Sequence, residues 1–465
     1  MSEMIPERIQ KQIDKMAEKY REELVEMYRW SNSIKDDDAP KAVEIEDEIS
    51  KWLRRIGSET QELIIGQMDR NRRKGKRKCP ECGEEKYWER YEPRNYITTL
   101  GEMQLERAYY NHGACHSGWV PLDQRLGLGA SELSQRAQEM VSFLGAFMPF
   151  EQAQTYLSRY HGLHISHDTV NNATVRIGQI LKEQQELAVK QTWETESLPA
   201  CEVVEPPEQL YISADGIKYL LPDGSGKEIR VAAIYETEER RNRKGEIHVH
   251  AINLVYVVHS DVEQLARAAY LIARKRGVTL ADQIIVLGDG ANWIWNRISK
   301  LFPVNKTTEI VDFYHASEYI WNVANTAFGQ ESQQAQDWAD ARCRALKHQG
   351  PEPILQALLK LSPKNASASK ALADALSYFQ NQGHRMDYPI YVEMGLQIGS
   401  GSAESAVNQV VGVRLNQSGM RWNPDHAEAV SHVRAAILSG RGEQFSKDFA
   451  PHPRQYRRAS LPLAA

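Results

Sequence analysis

Residues 284–295 read IIVLGDGANWIW, an apolar run that ends at one carboxylate, Asp289, between two glycines. A short apolar run bounded by turn residues is typical of a buried β-strand. A helical stretch, residues 262–277, precedes the run and a strand precedes that helix, so a parallel crossover within one sheet is required. We therefore predict a parallel strand with Asp289 at its carboxyl end, where open α/β sheets place their ligand sites.

The segments on either side predict the rest of the sheet. Three runs joined by short loops indicate an antiparallel meander, namely LYISADGIKYLL (210–221), EIRVAAIYE (228–236) and HVHAINLVYVVHS (248–260). Ser260 is predicted to cap the helix that follows. EIVDFY (309–314) reads as a further strand, and residues 316–392 read as helical. The predicted fold class is α/β, a mixed five-stranded sheet with flanking helices and a helical insertion.

Length and composition limit the class of protein. A chain of 465 residues is too long for one compact core and predicts about two to four units. Its 26% charged and 42% hydrophobic residues are ordinary for a globular protein. The chain has no apolar run of about 18 residues and no signal-peptide pattern, so we expect no membrane partner and a cytoplasmic location. A net charge of -5 argues against attraction of the whole chain to nucleic acid, but not of a local basic run.

The amino-terminal part combines helices with one strongly basic segment. Apolar stripes at helical spacing on both sides of a DDDAP break predict a helical hairpin over residues 1–70, either an oligomerisation or packing arm or a DNA-contact arm. The segment RNRRKGKRK (70–78) holds seven basic residues and no acidic one. It reads either as a solvated linker or as a phosphate-contacting segment. The candidate contacts are Arg72, Arg73, Lys74, Lys76 and Arg77.

Residues 129–196 have the spacing of a helix-turn-helix. We predict a helix from Phe150 to Tyr160, a turn containing Gly162, and a second helix capped by Ser166 that runs to Ile177. Two short helices around a glycine turn fit a DNA-binding domain and a plain helical bundle equally well. Polar groups at the start of the second helix favour DNA, and the candidates are Ser166, His167, Thr169, Asn171 and Asn172.

Three carboxylates stand in separate elements. Asp215 lies in the first strand in SADG, Asp289 follows the fourth strand in LGDG, and Glu404 stands in the first turn of a helix in GSGSAES. A single Asp-Gly pair is most often a turn, but a metal site for phosphodiester chemistry needs carboxylates that converge from separate elements. The glycines beside Asp289 are predicted to leave room for a substrate backbone. Trp293 and Trp295 are predicted to anchor the following helix.

These motifs resemble those of a known family. SADGIKYL, LGDGANWIW, DFYHASEYIW and GSGSAESAVNQVVGVRLNQSGMRW occur in the order found in Kra-type bacterial insertion-sequence transposases, relatives of the mutator-like group. The resemblance covers residues from about 76 to 435. It implies a DDE transposase with a ribonuclease H-like core. Such an enzyme binds the terminal inverted repeats of double-stranded DNA and catalyses metal-dependent strand cleavage and strand transfer.

The resemblance also implies roles for particular residues. Asp215, Asp289 and Glu404 would form the catalytic triad and hold two Mg²⁺ (or Mn²⁺) ions. His315 would contact the scissile phosphate or the leaving oxygen, or else pack under the sheet. Arg414 would bind a phosphate, and Trp422 would stack on a flipped base or close the helical core. A homodimer or higher homo-oligomer associated with the nucleoid is implied as well.

Two knuckles suggest structural zinc. Cys79 and Cys82 form a clustered pair, which in a reduced compartment indicates a metal more often than a disulfide. By the resemblance a second knuckle follows about thirty residues later, where this chain has His112 and Cys115 in place of the usual CxxC. The four residues form the predicted ligand set of a zinc ribbon, with His116 as an alternative to His112 and loss of the site as a further possibility.

The predicted organisation has seven segments. They are a helical hairpin (1–70), a basic linker with a zinc-ribbon-like knuckle (71–128), a helix-turn-helix (129–196), the first part of the catalytic core (205–325), a helical insertion (326–394), the last part of the core (395–440) and a basic tail (441–465). Two rival functions stay open. One is a domesticated or inactive DNA-binding regulator, and the other is a ribonuclease H-like nuclease without strand transfer.

Overall fold

The computed structural model describes residues 5–32, 41–70, 75–79, 82–111, 117–129, 131–241, 245, 247–399, 401–441 and 456–457. Of residues 69–70, 117, 247–248, 402–404 and 456–457 it describes the backbone only. The chain divides into two compact units. The first comprises Met1–Val141, Phe150–Val170 and Phe445–Ala465, and the second comprises Ser142–Pro149 and Asn171–Gln444. This division is coarser than the seven predicted segments, which stay predictions.

The first unit begins with the predicted helical hairpin, formed by α1 (Glu7–Asn32) and α2 (Ala42–Arg70). The two helices run antiparallel, because Lys19 Nζ lies 2.7 Å from Glu59 Oε1 while Arg55 lies 2.7 Å from Glu23. Each ion pair is at least partly exposed, so the pairs set the register of the hairpin more than its stability.

An antiparallel sheet that the sequence analysis did not predict follows the hairpin. It consists of β1 (Lys76–Lys78), β2 (Glu85–Thr98), β3 (Gly101–Asn111), β4 (Ser117–Trp119) and the two-residue strand Tyr456–Arg457. Gly101 has a φ of +129°, a conformation that L side chains rarely adopt, and it begins β3 directly after the turn from β2. Alternate residues of β3 are buried, including Met103 and Leu105, as expected for a strand with one face in a core.

Helices connect this sheet to the second unit. They are α3 (Pro121–Leu126), α4 (Gln135–Phe147), α5 (Phe150–His161) and α6 (His167–Thr195). Ser166 caps α6 as predicted, since its Oγ accepts the Thr169 N–H at 3.1 Å. The predicted end of this helix at Ile177 is wrong. The helix continues to Thr195 because the sequence ILKEQQELAVKQ after Gly178 consists almost wholly of good helix formers.

The second unit contains the predicted mixed α/β sheet. Its strands in the described part of the chain are β5 (Gln209–Leu220), β6 (Gly226–Arg241), β7 (Ile247–His259), β8 (Gln283–Gly288) and β9 (Thr307–Val311). The order across the sheet is β7-β6-β5-β8-β9. β5, β6 and β7 pair antiparallel, and β8 and β9 add parallel to β5. The meander and the parallel crossover that were predicted from residues 210–287 are therefore confirmed.

Helices cover the sheet and follow it. The crossover helix is α7 (Val262–Lys275), which packs against β5, β6 and β7. The inserted helices are α8 (Phe313–Phe328), α9 (Gln333–Gln349), α10 (Glu352–Leu359), α11 (Ala366–Gln382) and α12 (Tyr388–Glu393). The strand predicted over 309–314 is too long at its carboxyl end. It stops at Val311 because the Asp312 carboxylate accepts the His315 N–H at 2.8 Å and so begins α8.

The last helices of the second unit lie against its antiparallel strands. They are α13 (Gly401–Val407), α14 (Val413–Leu415) and α15 (Pro424–Ala436). α13 packs against β5 and β6, and α15 packs against the edge strand β7.

Among the helices in the described ranges, none is both long and apolar enough to cross a membrane.

A buried polar network joins α15 to the end of β7 and to α6. The Glu428 carboxylate accepts hydrogen bonds from Lys182 Nζ at 2.8 Å and from the Ser260 N–H and Oγ at 2.7 and 3.0 Å. The prediction that Ser260 caps α7 is therefore wrong. Asp261 is the cap, and its Oδ1 accepts the Gln264 N–H at 2.9 Å. Burial alone would raise the pKa of Glu428, but the hydrogen bonds from Lys182 and Ser260 hold it well below its usual range.

His432, one turn along α15 from Glu428, makes stability depend on pH. Burial lowers the pKa of His432 to about 3, against the opposing attraction of Glu428, so the folded chain keeps this imidazole neutral. The unfolded chain takes up a proton below about pH 6.5. Because the folded pKa is depressed, the stability is present above pH 6.5 and is lost as pH falls toward 3.

We expect His432 to contribute about 1.4 kcal/mol per pH unit to the fall in unfolding free energy between pH 6 and pH 4. Urea unfolding of the full chain at a series of pH values measures this slope. His432→Leu should remove its contribution, whereas His384→Leu, at an exposed histidine, should leave the slope unchanged. Equal slopes in the wild type and in His432→Leu would contradict a neutral, buried imidazole.

Candidate active site

Aspartates from three neighbouring parallel strands lie at one level of the sheet, with Asp215 inside β5 and Asp289 and Asp312 directly after β8 and β9. Ser213 pairs with Leu287, so continuing that register by two residues sets Asp215 of β5 level with Asp289 after β8. Gly288 pairs with Val311, which sets Asp289 level with Asp312. Neighbouring strands lie about 4.8 Å apart, and residues level in a parallel pair point to the same face. The two predicted carboxylates, Asp215 and Asp289, are therefore brought together.

Local hydrogen bonds orient both carboxylates. Asp215 Oδ1 accepts the Gly216 N–H at 2.6 Å, and Asp289 Oδ1 accepts the Ala291 N–H at 2.8 Å. Both aspartates are partly exposed. Asp312, by contrast, is buried, its backbone N–H donates to the Gly288 carbonyl at 2.8 Å, and its carboxylate caps α8. Asp312 thus serves the local structure, and the two exposed aspartates are the candidates for chemistry.

The glycines beside Asp289 do not leave the predicted room for a substrate backbone. A Cβ at Gly288 would lie 2.5 Å from Ile294 Cδ1, and a Cβ at Gly290 would lie 2.9 Å from Tyr378 Cε2. Gly290 also has a φ of +101°. The space that these glycines provide is thus filled by neighbouring side chains, and the reason for glycine is packing and backbone conformation.

The two tryptophans after Asp289 behave largely as predicted. Trp295 is buried, with the Arg385 guanidinium 4.7 Å from its ring centroid, and it anchors the segment that follows the loop. Trp293 is half-buried, and the Arg230 guanidinium lies 5.7 Å from its ring centroid.

Helix α11 contacts the loop that carries Asp289. Tyr378 Oη donates to the Asp289 carbonyl oxygen at 2.8 Å, and Gln382 Nε2 donates to the Gly290 carbonyl oxygen at 2.9 Å. Sequence reasoning missed both residues. No local pattern marks them, because Tyr378 is 89 residues from the aspartate it contacts and reads as part of an ordinary amphipathic helix.

His315 lies in the first turn of α8 and faces the same aromatic side chains. Its ring centroid is 5.7 Å from that of Tyr319 and 6.1 Å from that of Tyr378, while its Nδ1 lies 3.4 Å from Glu318. Tyr319 and Tyr378 stack with centroids 4.0 Å apart. The His315 side chain is 36% exposed, so it is not packed under the sheet, the alternative that was left open. It stays a candidate for contact with a substrate.

Glu404 lies in α13, the helix that packs against β5 and β6. Its side chain is outside the described part of the structure. Within that part, no three His, Cys, Asp or Glu side chains come together as a metal site. The described donor set is the carboxylate pair Asp215 and Asp289, whose hard oxygen atoms suit Mg²⁺ or Mn²⁺. A third ligand from Glu404 is therefore still a prediction.

Arg414 and Trp422 are core residues, which corrects their predicted contact with DNA. Arg414 is 1% exposed, and its Nε donates to the Gly145 carbonyl at 3.1 Å. Burial lowers its pKa to about 10, so the guanidinium stays charged at neutral pH. Trp422 is 6% exposed and donates to the Leu415 carbonyl at 3.1 Å. The Arg414 guanidinium lies 4.7 Å from the Trp422 ring centroid, so the two side chains pack together in the core. This agrees with the alternative prediction that Trp422 closes the helical core.

The candidate DNA-contact residues around α6 differ in exposure. Ser166, His167 and Asn172 are exposed, although the Ser166 hydroxyl is already engaged as the helix cap. Thr169 and Asn171 are only half-buried, and the Asn171 amide oxygen is buried without a hydrogen-bond partner in the described residues. Two helices around a glycine turn are present.

The basic run and the zinc knuckle are described only in part. Arg72, Arg73, Lys74, His112, Cys115 and His116 lie outside the described residues. Lys76 is exposed and paired with Glu85 across the strands at 2.8 Å, and Arg77 Nε donates to Tyr110 Oη at 3.2 Å. The Cys79 N–H donates to the Glu84 carbonyl at 2.6 Å, and the Cys79 carbonyl accepts the Gly83 N–H at 3.0 Å. Cys79 is buried and Cys82 is exposed.

Comparison with known proteins places the chain in a family. A model described as an uncharacterised protein family, UPF0236, matches residues 37–447. A UPF0236 protein of Caldanaerobacter subterraneus subsp. tengcongensis, whose name joins eleven serial designations, is 23% identical over 401 residues, covering 84% of this chain and 77% of the relative. A UPF0236 protein in the vanSb 3' region of Streptococcus gallolyticus is 29% identical over 380 residues, covering 78% of this chain and 77% of the relative. This chain therefore belongs to the UPF0236 family.

Proposed function

We propose that this chain is the DNA transposase of an insertion sequence, with Asp215, Asp289 and Glu404 as its catalytic carboxylates. The observation that carries the proposal is the register of β5 and β8, which, continued by two residues from the Ser213–Leu287 pair, sets Asp215 within β5 level with Asp289 directly after β8. Substrates bind at this kind of strand end in open α/β sheets. The packing of α13, which bears Glu404, against β5 is compatible with a third carboxylate at the same place.

The topology of the second unit supports the proposal. Across the sheet the strands follow the order β7-β6-β5-β8-β9. The strands β5, β6 and β7 pair antiparallel, and β8 and β9 run parallel to β5. This is the arrangement expected from the resemblance to ribonuclease H-like transposases. Fold alone does not assign an activity, so the carboxylates at the strand ends carry more weight than the topology.

The names of the relatives add independent support. One relative's name joins eleven serial designations from a single organism, and a second joins four. A protein encoded by many copies of one mobile element would carry such a name. A regulator with one function in the cell would not be expected to.

The proposed chemistry assigns a part to each described residue. When bound by Asp215, Asp289 and Glu404, two divalent cations would activate the attacking water or 3′ hydroxyl and stabilise the leaving oxygen. The Ala291 N–H orients the Asp289 carboxylate, and the Gly216 N–H orients that of Asp215. His315, partly exposed on α8, is proposed to donate a hydrogen bond to a phosphate or leaving oxygen of the DNA.

Recognition of the transposon ends is proposed for the first unit and the start of α6. The basic run with Lys76 and Arg77 would contact phosphates, and the exposed groups around Ser166 would reach the DNA surface. A structural Zn²⁺ held by Cys79, Cys82, His112 and Cys115 would tie the basic run to the antiparallel sheet. Two DNA ends must be joined, so we propose a homodimer or higher homo-oligomer as the active form.

A strand-transfer assay tests the proposal. The full chain is incubated with labelled duplexes that carry the genomic sequence flanking its gene, with a supercoiled target plasmid, and with Mg²⁺ or Mn²⁺. We expect labelled DNA ends joined to the plasmid only when the divalent cation is present, with the Asp289→Asn protein as the blank. Nicking without joining would favour a nuclease. Tight binding of the flanking DNA without any cleavage would favour a regulator, and either result would overturn the proposal.

A further inference from the structure

The loop from Gly288 to Ala291 has a hydrogen-bond donor for each successive carbonyl. Gly288 O accepts the Asp312 N–H at 2.8 Å, Asp289 O accepts Tyr378 Oη at 2.8 Å and Gly290 O accepts Gln382 Nε2 at 2.9 Å. Ala291 O accepts the Ile294 N–H at 3.0 Å. The two middle carbonyls lie beyond the end of β8, so the sheet offers them no partner, and both donors come from side chains of α11.

The approach of α11 to this loop depends on Gly290. The position of a Cβ at residue 290 lies only 2.9 Å from Tyr378 Cε2, closer than real Cβ contacts, and the φ of +101° suits glycine. Tyr378 also stacks on Tyr319 of α8, with the ring centroids 4.0 Å apart. The Tyr378 ring is therefore packed against both the loop and α8, which holds its hydroxyl at the Asp289 carbonyl.

Helix α11 is in turn anchored to the sheet. Gln382 is 6% exposed, and its amide oxygen accepts a hydrogen bond from Arg385 at 2.9 Å. Arg385 also pairs with Glu309 of β9. The helix is thus attached to the strand next to β8 as well as to the loop, so its two donors hold the loop from a rigid support.

We infer that α11 is a positioning element for Asp289, and that Tyr378 and Gln382 set the direction of its carboxylate by holding the two backbone carbonyls. This inference rests on the proposed function, because it assigns the held carboxylate to a metal site. Groups that orient a metal ligand from behind commonly change metal affinity by about 10-fold to 100-fold when they are removed. Neither side chain is proposed to touch DNA or metal.

The test uses Tyr378→Phe in the full chain, which removes one hydroxyl and keeps the ring. In the metal-free protein, the amide of Ala291 should exchange with deuterium about threefold to tenfold faster than in the wild type, because one hydrogen bond that holds the loop is gone. In calorimetric titration with Mn²⁺ alone, the dissociation constant should rise about tenfold. The double variant Tyr378→Phe/Gln382→Met should shift both quantities further.

Tyr391→Phe is the matched control. Tyr391 Oη contacts the Glu309 carbonyl at 3.4 Å, so this variant also removes a hydroxyl between the inserted helices and a strand, but away from the loop. Both measurements should stay within about twofold of the wild type, since no bond to the loop is lost. The positioning role alone would be overturned if Tyr378→Phe kept the wild-type exchange rate and Mn²⁺ affinity while Asp289→Asn bound Mn²⁺ more weakly. Unchanged Mn²⁺ binding in Asp289→Asn would overturn the metal site and the inference with it.

Discussion

Replacing Asp289 with Asn should lower the rate of DNA cleavage and strand transfer by about a thousandfold or more. In the wild type, Asp289 Oδ1 accepts the Ala291 N–H at 2.8 Å. The substitution keeps the size of the side chain and its ability to accept this hydrogen bond, but removes the negative charge. Metal ions in such sites contribute several kcal/mol to stabilisation of the transition state, and about 4 kcal/mol corresponds to a factor of about a thousand. The measurement is the initial rate of joining of labelled ends to a plasmid in Mg²⁺.

Asp282→Asn is the control for this prediction. Asp282 stands directly before β8 and is exposed, so the same chemical change is made near the same strand but away from its carboxyl end. Its rate should equal that of the wild type. Asp215→Asn should be as inactive as Asp289→Asn, because the two carboxylates are level on adjacent strands. An Asp289→Asn protein that is folded by circular dichroism and joins DNA at the wild-type rate would falsify the proposed chemistry.

Gly178→Ala should destabilise the second unit by about 3 kcal/mol, at the upper end of overpacking effects. A Cβ at this position of α6 would lie 2.0 Å from the carbonyl oxygen and 2.7 Å from Cα of Ala429 in α15. These are backbone atoms of a helix, so they can move away only if α6 and α15 separate. Separation would also lengthen the 2.8 Å ion pair between Lys182, one turn after Gly178 in α6, and Glu428, the residue before Ala429 in α15. Urea unfolding followed by tryptophan fluorescence measures the loss.

Gly66→Ala provides the opposite case. Gly66 lies within α2, and apart from the neighbouring backbone of that helix no atom of the described residues lies within 4 Å of the position of an added Cβ. Alanine should therefore stabilise the protein by about 0.5 to 1 kcal/mol, because glycine loses more backbone entropy in a helix. If both variants unfold at the wild-type urea concentration, the close crossing of α6 and α15 at Gly178 is wrong.

The positions of the strands and of the two aspartates could be predicted from the sequence because their signals are local. The apolar run before Asp289 covers residues 284–287 and the run around Asp215 covers residues 210–221, and a parallel crossover admits few topologies. The cap at Ser166 was found for the same reason. The strand predicted through residue 314 and the cap predicted at Ser260 failed by a few residues, since Asp312 begins α8 by accepting the His315 N–H and Asp261, rather than Ser260, accepts the Gln264 N–H at the start of α7.

The sequence by itself determined the mixed sheet, its parallel crossover and the place of Asp289 directly after a parallel strand, together with membership of a family that spans most of the chain. Only the tertiary structure decided that Arg414 and Trp422 are buried, that the glycines around Asp289 are filled by Ile294 and Tyr378, and that α11 holds the aspartate's loop. The reason is the range of the interactions involved. Periodicity and capping depend on residues within one or two turns, whereas burial and the partner of a carbonyl depend on side chains brought together from more than eighty residues away.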